Sequence, residues 1–504
     1  MTVNKKVSYW NILPLHVLFA AMYPALALLA FNLTEVTPQV VIRPLWVSAA
    51  MGLATLILAW IVTREWRRAG LVATLFIALF FSYGHLYHAL DEIQLGGVFI
   101  FRHRTMLVLW AALGAWGGWA FWKKPLPLAT ITSALNLATL ALVIMPLVQV
   151  GAPVVGDAFA SARETRPEAA TPPEVRGDAP DVYYIILDAH GRADVLSQHT
   201  GYDSSTFLNS LKEMGFYVAD CSQTNYSLTL LSLSSSLNYS HLEELTNDAG
   251  GVDFQSAIAD SALRRFLERR GYETVAFASG FRMTEIKNVD YYFEPGSPKG
   301  GEFEAQLLDT TLWSAFVDIG ITPAFDVSAE NYRDRTLLTL ATLKDLPDLA
   351  GPQFVFAHIV SPHPPYIFDA QGNFHDVAFK EQDELAPLEM APLYRAQAEF
   401  IDAQILEVVR VILEKSDVPP IIIIQGDHGP LVKDRFIRAP ILNAYYLPNG
   451  QDGLYPSISP VNSFRVVLND YFGQNLPMLE DLSRFSSDYR DPFDYRVVEN
   501  SCVK

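Results

Sequence analysis

Five apolar runs in the first 150 residues, near 10–31, 45–63, 70–89, 105–122 and 127–149, constrain this chain more than any other feature. Each approaches the roughly 20 residues with which a helix crosses about 30 Å of hydrocarbon. Residues 1–150 therefore read as an all-α transmembrane bundle of about five helices. The first run carries Pro14 and Pro24, and the fourth, "LVLWAALGAWGGWAFW", is short and rich in Gly. No short apolar core followed by a small-residue cleavage site opens the chain, so the first run reads as a retained anchor.

Orientation follows from the cations, because short cytoplasmic loops retain Lys and Arg. Lys5 and Lys6 precede the first span, Arg64, Arg67 and Arg68 follow the second, and Lys123 and Lys124 follow the fourth. These sites share one side, the cytoplasmic one. The loop with Glu35 and Arg43 and the loop "DEIQLGGVFIFRHRT" then face out, as does everything after residue 150. The reading is a multi-pass protein of the cell (inner) membrane with an extracytoplasmic, periplasmic remainder. The outer end of the third span, "FSYGHLYHALDE", sets His85 and His88 on one helical face beside Tyr83, Tyr87, Asp91 and Glu92. That cluster reads either as an interfacial aromatic belt or as a lipid-headgroup site.

Charge divides at the same place. Residues 1–150 hold ten Lys plus Arg against four Asp plus Glu, which leaves 27 against 51 beyond them. So acidic a remainder would repel a phosphate backbone, and nucleic acid is excluded as a partner. Two cysteines, Cys221 and Cys502, are too few for a disulfide framework or a thiolate metal site. One exported disulfide is compatible with them, but a separation of 281 residues does not say whether they meet.

Residues 151–179 are rich in Ala, Pro and charge and read as a linker. From 180 to 504 the pattern is different. "DVYYIILD" (181–188), "ETVAFAS" (273–279), "QFVFAHIV" (353–360) and "PIIIIQGD" (420–427) are continuous apolar runs suited to buried parallel strands. Helical patterns such as "SSTFLNSLKEMG" and "PLYRAQAEFIDAQILEVVRVILEK" lie between them, the alternation of a doubly wound α/β domain. Such sheets gather ligands at the carboxyl ends of their strands. Asp188, His358 with His363, and Asp427 with His428 all close a strand or open the loop beyond it, so they are candidates for one site. In "GDHG", Gly426 to Gly429, a carboxylate and an imidazole leave a rigid strand together, and with Asp188 they form the mixed oxygen and nitrogen set that zinc or manganese accepts.

Taken in order, "YYIILDAHGRADVL", "SLTLLSLSSSL", "AHIVSPHPPY", "YRAQAEFIDAQI" and "QGDHG" resemble the motif blocks of the alkaline phosphatase superfamily in its sulfatase-like branch. With its spans and outward domain, the chain is similar within that branch to lipoteichoic acid synthases and phosphoethanolamine transferases. The resemblance implies a Thr nucleophile held on one divalent metal ion (Zn, Mn or Mg) and a covalent phospho-enzyme that passes its group to a second acceptor. In the hydroxyl-rich stretch "TNYSLTLLSLSSSLNYS", Thr229 with Ser232 and Leu233 matches the Thr-x-x-Ser-Leu form of the transferases. Thr229 is therefore the implied nucleophile, at a helix start whose unpaired N–H groups favour an alkoxide and an incoming anion. Ser227 is the runner-up. The implied metal ligands are Asp188, Thr229, Asp427 and His428, and His363 matches the acid–base or phosphate-binding histidine. Asn225, His358, His190 and Arg192 are candidate substrate contacts, His358 being equally readable as a strand-end imidazole bonded to backbone. Asp402 falls where the family acid is mostly structural.

The departures also inform. No Cys-x-Pro-x-Arg or Ser-x-Pro-x-Arg is present, so formylglycine cannot form and sulfate-ester hydrolysis is disfavoured. Three residues, "AHG", separate Asp188 from Arg192 where two are usual, so the loop differs and His190 is free to lean toward the metal. Lys433, Arg435 and Arg438 stand where relatives have a further His, as anion contacts or as solvated charges. The expected function is transfer of a phospho-alcohol group, of phosphoethanolamine or phosphoglycerol type, from a lipid donor to an envelope glycan or lipid. The alternatives are a membrane-anchored phosphodiesterase and a non-catalytic envelope binding protein.

Overall fold

The computed structural model describes residues 13–502 apart from 34–35, 37, 91–92, 96–97, 164–178, 248–250, 297–300, 322–327, 375–386, 431–434, 487, 490 and 501. The chain forms two compact units. One holds residues 1–167 together with 299–328, the other 168–298 together with 329–504.

The first unit is helical: α1 (His16–Phe31), α2 (Ile42–Thr63), α3 (Trp66–Leu90), α4 (His103–Lys123) and α5 (Leu128–Arg163). All five apolar runs become helices, but among the described residues only the segments Pro38–Thr63, Trp66–Leu90, His103–Lys123 and Leu128–Gly151 are long and apolar enough to cross a membrane. Four of the five expected spans reach that length, and the first run forms a shorter apolar helix. Helix α1, 16 residues with Pro24 inside it, reaches about 24 Å at 1.5 Å per residue. It is instead the buried member of the bundle, with Val17, Ala21 and Ala25 fully enclosed. Lys5 and Lys6 lie outside the described residues, as do Glu35, Asp91 and Glu92. Helix α5 continues to Arg163, so the stretch read as a linker from residue 151 begins as helix.

Residues 299–328 are the larger surprise. They interrupt what reads in sequence as one α/β domain, yet they pack with the membrane helices, through segments Glu302–Asp309 and Trp313–Asp318. Their seat is a close backbone approach to α3. The Gly84 N–H donates to the Thr310 carbonyl at 3.0 Å, and the Leu312 N–H donates to the Phe80 carbonyl at 2.8 Å. A Cβ on Gly84 would stand 2.5 Å from the Thr310 carbonyl carbon, so only glycine admits this contact. Phe303 and Leu307 join the apolar core of the bundle, and Ala315 packs on Tyr83, Tyr87 and Met106. The cluster at the outer end of the third span is accordingly not an open aromatic belt. Tyr83 is buried with its hydroxyl 3.0 Å from His103 Nδ1, and His88 Nε2 lies 3.4 Å from Asp309 Oδ2.

The second unit is built on a seven-stranded sheet. Its strands are β1 (Val182–Leu187), β2 (Tyr217–Val218), β3 (Glu273–Phe277), β4 (Tyr291–Phe293), β5 (Gln353–Ile359), β6 (Ile421–Gln425) and β7 (Asn443–Tyr446), in the spatial order β2-β7-β6-β1-β5-β3-β4. The pairs β6–β1, β1–β5, β5–β3 and β3–β4 are parallel, whereas β7 runs antiparallel to both its neighbours. The uninterrupted apolar runs are explained by burial on both faces. Tyr183, Ile185 and Leu187 enter one core with Ile401, Ile405 and Val408, while Val182, Tyr184 and Ile186 enter the other with Leu233, Leu237 and Phe464. The C-terminal tail is tied back by a Cys221–Cys502 disulfide, which settles the pairing that spacing left open.

Candidate active site

Three neighbouring strands deliver the site. Ile186 on β1 pairs with His358 on β5 and with Gln425 on β6, so the carboxyl ends of these strands emerge side by side. Asp188 and Asp427 therefore leave adjacent strands and are both buried, with His428 and His358 beside them. Gly426 is required here, since a Cβ would lie 2.3 Å from the His190 carbonyl oxygen. Across from it, Ala189 is held at φ 64°, a left-handed conformation that L side chains rarely adopt. Two bonds fix the turn: the Ala189 N–H donates to Asp427 Oδ1 at 3.1 Å, and the Tyr394 hydroxyl donates to the Ala189 carbonyl at 2.9 Å. The inserted residue of "DAHG" thus links the two acids.

Each acid keeps one oxygen without a hydrogen-bond partner, Asp188 Oδ1 and Asp427 Oδ2. Both point toward the same nitrogen: His428 Nε2 stands 3.5 Å from the former and 3.6 Å from the latter. His428 Nδ1 contacts the Gly429 carbonyl at 2.7 Å, which puts the ring proton on Nδ1 and the lone pair on Nε2. Donor atoms of Asp188, His363 and His428, and likewise of Asp188, His358 and Asp427, fall within 4.8 Å of one another. Two orphaned carboxylate oxygens and an imidazole lone pair converging in a buried place fit a divalent cation, which is the ordinary reason for such an arrangement. Arg438 Nη2 lies 2.8 Å from the same His428 nitrogen, so a cation and Arg438 compete for that lone pair.

Electrostatics follow from burial. Desolvation and then the Asp188 charge push Asp427 up, while His358, the nearby Thr229 hydroxyl and the Ala189 N–H hold it down only in part. Desolvation also acts on Asp188, but His363, the hydrogen-bonded His358 and His428 outweigh it and hold that carboxyl well below the usual range. Of the two neighbouring acids, Asp188 therefore keeps its charge to lower pH and Asp427 is protonated first. His428 is lowered to about 3 by burial and then by Arg438, so its ring is neutral, the form that ligates metals.

The helix Thr229–Leu237 begins where Leu228 is extended, with φ −119° and ψ 136°, and no side chain caps it. Its first residue is Thr229, whose hydroxyl is near enough to Asp427 to help hold that carboxyl down. The other hydroxyls of the stretch mostly serve packing: Ser235 Oγ donates to the Ser240 carbonyl at 2.7 Å, and Thr224 Oγ1 lies 3.0 Å from Ser232 Oγ. Ser227 is buried with its hydroxyl unpartnered. His363 is half-buried; its N–H donates to the Asp188 carbonyl at 3.0 Å and its ring Nδ1 contacts the Pro364 carbonyl at 2.7 Å. Gln397 and Tyr332 both donate to the His363 carbonyl, at 3.1 Å each, fixing the "SPHPP" loop.

The structure brings Asp188, Thr229, Asp427, His428, His358 and His363 together. His358 reaches the cluster through Asp188, its Nε2 lying 3.1 Å from Oδ2 and its Nδ1 3.1 Å from Thr284 Oγ1, so it positions an acid. Three other candidates are not brought there. The His190 ring turns away, Nε2 to Asp402 Oδ1 at 2.9 Å, because the left-handed Ala189 reverses the chain before it. Arg192 is spent on Asp194, with bonds of 2.8 and 2.9 Å, and on the Ser222 carbonyl. Asn225 donates to Ser459 Oγ and the Leu482 carbonyl and accepts from the Val461 N–H, all contacts that tie distant parts of the fold together. Asp402 is structural, receiving His190 and the Tyr202 hydroxyl. Arg438, not ranked above a solvated charge in the sequence, is the addition, and its place ten residues after His428 was the only signal for it. Lys433 lies outside the described residues.

The sequence profile of the sulfatase family matches residues 180–464. The chain belongs to the sulfatase family. That match covers all the clustered residues and runs across the 299–328 excursion. Among solved structures, this chain is similar to the C-terminal periplasmic domain of EptC from Escherichia coli, at 12% identity over 66% of this chain and 94% of that one, with a TM-score of 0.43. It is also similar to the integral membrane lipooligosaccharide phosphoethanolamine transferase A of Neisseria meningitidis, at 10% identity over 92% and 95%, TM-score 0.39. A third is the lipoteichoic acid synthase LtaP of Listeria monocytogenes, at 12% identity over 66% and 80%, TM-score 0.37. No curated protein matches the chain.

Proposed function

We propose that this sulfatase-family protein is a membrane-bound, metal-dependent transferase that moves a phospho-alcohol group, of phosphoethanolamine or phosphoglycerol type, from a lipid donor to an envelope glycan or lipid. The observation that carries the reading is a hydroxyl at a helix start beside two buried acids whose free oxygens face a neutral imidazole. Asp188, Asp427, His428 and Thr229 would hold one divalent ion, zinc, manganese or magnesium. Bound there, such an ion lowers the pKa of the Thr229 hydroxyl and offsets phosphate charge.

The chain's own residues supply the rest. Thr229 Oγ attacks phosphorus as the bond to the lipid alcohol breaks, and His363 Nε2 gives that leaving oxygen a proton. Nδ1 of the same ring stays on the Pro364 carbonyl, which fixes the ring and leaves Nε2 to exchange protons. In the second half the acceptor hydroxyl returns its proton to His363 and displaces Thr229 from phosphorus. N–H groups of the first turn of helix Thr229–Leu237, which no side chain caps, are suited to phosphate oxygens.

An extracytoplasmic site in the cell membrane is supported by Arg64, Arg67, Arg68, Lys123 and Lys124 at one end of α2, α3 and α4 and by the Cys221–Cys502 disulfide, since such bonds persist in oxidising compartments. Mass spectrometry of lipids and envelope glycans from cells carrying the wild-type or the Thr229→Ala protein tests the function. A phospho-alcohol adduct lost with Thr229, together with loss of free diacylglycerol, is expected. Loss of diacylglycerol with no adduct missing would make the protein a hydrolase, and no change in either would make it a non-catalytic protein.

A further inference from the structure

The membrane unit contains a cleft of about 360 Å³ between α2, the outer half of α3 and the helix Glu302–Asp309. Its walls are apolar (Val47, Met51, Phe80, Phe81, Leu307 and Leu308), and its rim carries one cation, Arg43, paired with Glu304. Two of the three walls belong to helices long and apolar enough to span a bilayer, so the medium that reaches the cleft is lipid.

The rim is organised in an uncommon way. Glu304 is mostly buried and immobilised, its Oε2 accepting the Gly301 N–H at 2.8 Å while Oε1 accepts Arg43 Nε at 3.0 Å. It grips the guanidinium by the inner nitrogen only. The side chain of Arg43 is 57% exposed, and Nε is the nitrogen that Glu304 takes, so the two terminal amino groups remain to receive two phosphate oxygens. A fixed cationic fork above an apolar cleft is the complement of an anionic head on a hydrocarbon tail.

We infer that this cleft binds one acyl chain of a membrane glycerophospholipid, whose phosphate is held by Arg43 as positioned by Glu304. The third wall is supplied by the 299–328 excursion, so lipid capture would be the reason a sulfatase-family chain sends this segment into its membrane unit, seated on α3 at Gly84 and Phe80. The inference deepens the transfer reading by giving the lipid a place.

The test uses the full-length Thr229→Ala protein, which on the transfer reading holds lipid without turning it over, in phosphatidylcholine vesicles doped with either a phosphatidylethanolamine or a diacylglycerol carrying a photoactivatable acyl chain. Cross-linked peptides are then mapped by mass spectrometry. Labelling from the phospholipid should concentrate on residues 43–51 and 304–311, above that of the apolar hollow around Leu58, Val72 and Trp122, whose lining holds no Arg–Glu pair and whose neighbouring Lys123 lies over the Trp122 ring, so that it reports bulk lipid. Ser48→Phe, filling the cleft from a buried wall position, should cut that labelling about tenfold for both probes. Arg43→Ala should cut it about tenfold for the phospholipid alone, the scale of a lost charge-assisted pair. Met51→Trp serves as a second filler if Ser48→Phe does not fold. Equal labelling of cleft and hollow, no effect of either filler, or equal effects of Arg43→Ala on both probes would overturn the inference. None of these outcomes depends on turnover, so failure of the cleft and failure of the transfer reading are told apart.

Discussion

Asp427→Asn should move stability in opposite directions with and without metal. Asp427 is fully buried beside Asp188, and burial with that neighbouring charge raises its carboxyl to about 6. An acid raised on folding favours the protonated form. It costs stability above about pH 6, where both states are ionised, and nothing below about pH 4, where both are protonated. Each raised unit is worth about 1.4 kcal/mol, so removing the charge should stabilise the metal-free protein by about 1–3 kcal/mol at pH 7.5. Asn keeps the geometry: its Oδ1 still accepts the Ala189 and His428 N–H groups, at 3.1 and 2.9 Å in the acid. What it loses is the orphaned oxygen that a cation needs. With metal at about 1,000 times its Kd, the wild type gains about 4.1 kcal/mol that the variant lacks, and the order reverses. Thermal scans of the purified full-length protein in detergent, in chelator and in manganese or zinc, read this as melting midpoints that cross. A variant less stable than wild type in chelator at pH 7.5, or equally stabilised by metal, would refute the reasoning.

Three further outcomes follow from contacts elsewhere in the second unit. Breaking Cys221–Cys502 by Cys502→Ser should lower its melting midpoint and remove the response of the wild type to reductant, by roughly 2–5 kcal/mol, since the bridge closes a span of 281 residues. Asp402→Ala should cost about 3–5 kcal/mol in chemical denaturation, because it strands buried His190 and the Tyr202 hydroxyl, yet leave metal content unchanged in the folded fraction. Asp181, raised to about 6 chiefly by burial, should behave like Asp427 without the metal: Asp181→Asn stabilises above about pH 6, by about 1–2 kcal/mol, and the gain vanishes toward pH 4 in melts across that range.

Strand identity and the metal-competent acids were legible because burial on both faces leaves a local signature. Four isoleucines before "QGD" and "VYYIIL" before Asp188 have no helical period, and a parallel strand with a functional end is what remains. Side-chain direction just beyond a strand was not legible. His190 looked available to the metal by proximity alone, and its turn toward Asp402 depends on Ala189 at φ 64°, which no property of alanine announces. Asn225 and Arg192 failed for a related reason: polar residues near a site also serve as its scaffold, and their partners Ser459, Leu482 and Ser222 are distant in sequence or unremarkable in type. The disulfide and the 299–328 excursion are both long-range pairings. The excursion's helices carry too little apolar length to resemble a membrane segment, and only Gly84 on α3, a position that tolerates no Cβ, marks where they dock. The first helix is shorter than its apolar run, because hydropathy registers composition without helix length.

The central claim is a covalent phospho-enzyme on Thr229. Wild-type protein incubated with phosphatidylethanolamine or phosphatidylglycerol in vesicles, quenched in acid and digested, should yield the peptide spanning 224–240 heavier by the phospho-alcohol group, with fragmentation placing it on Thr229, the residue beside Asp427 at the start of its helix. The same peptide modified on Ser227, or unmodified while the lipid is consumed, would contradict the account.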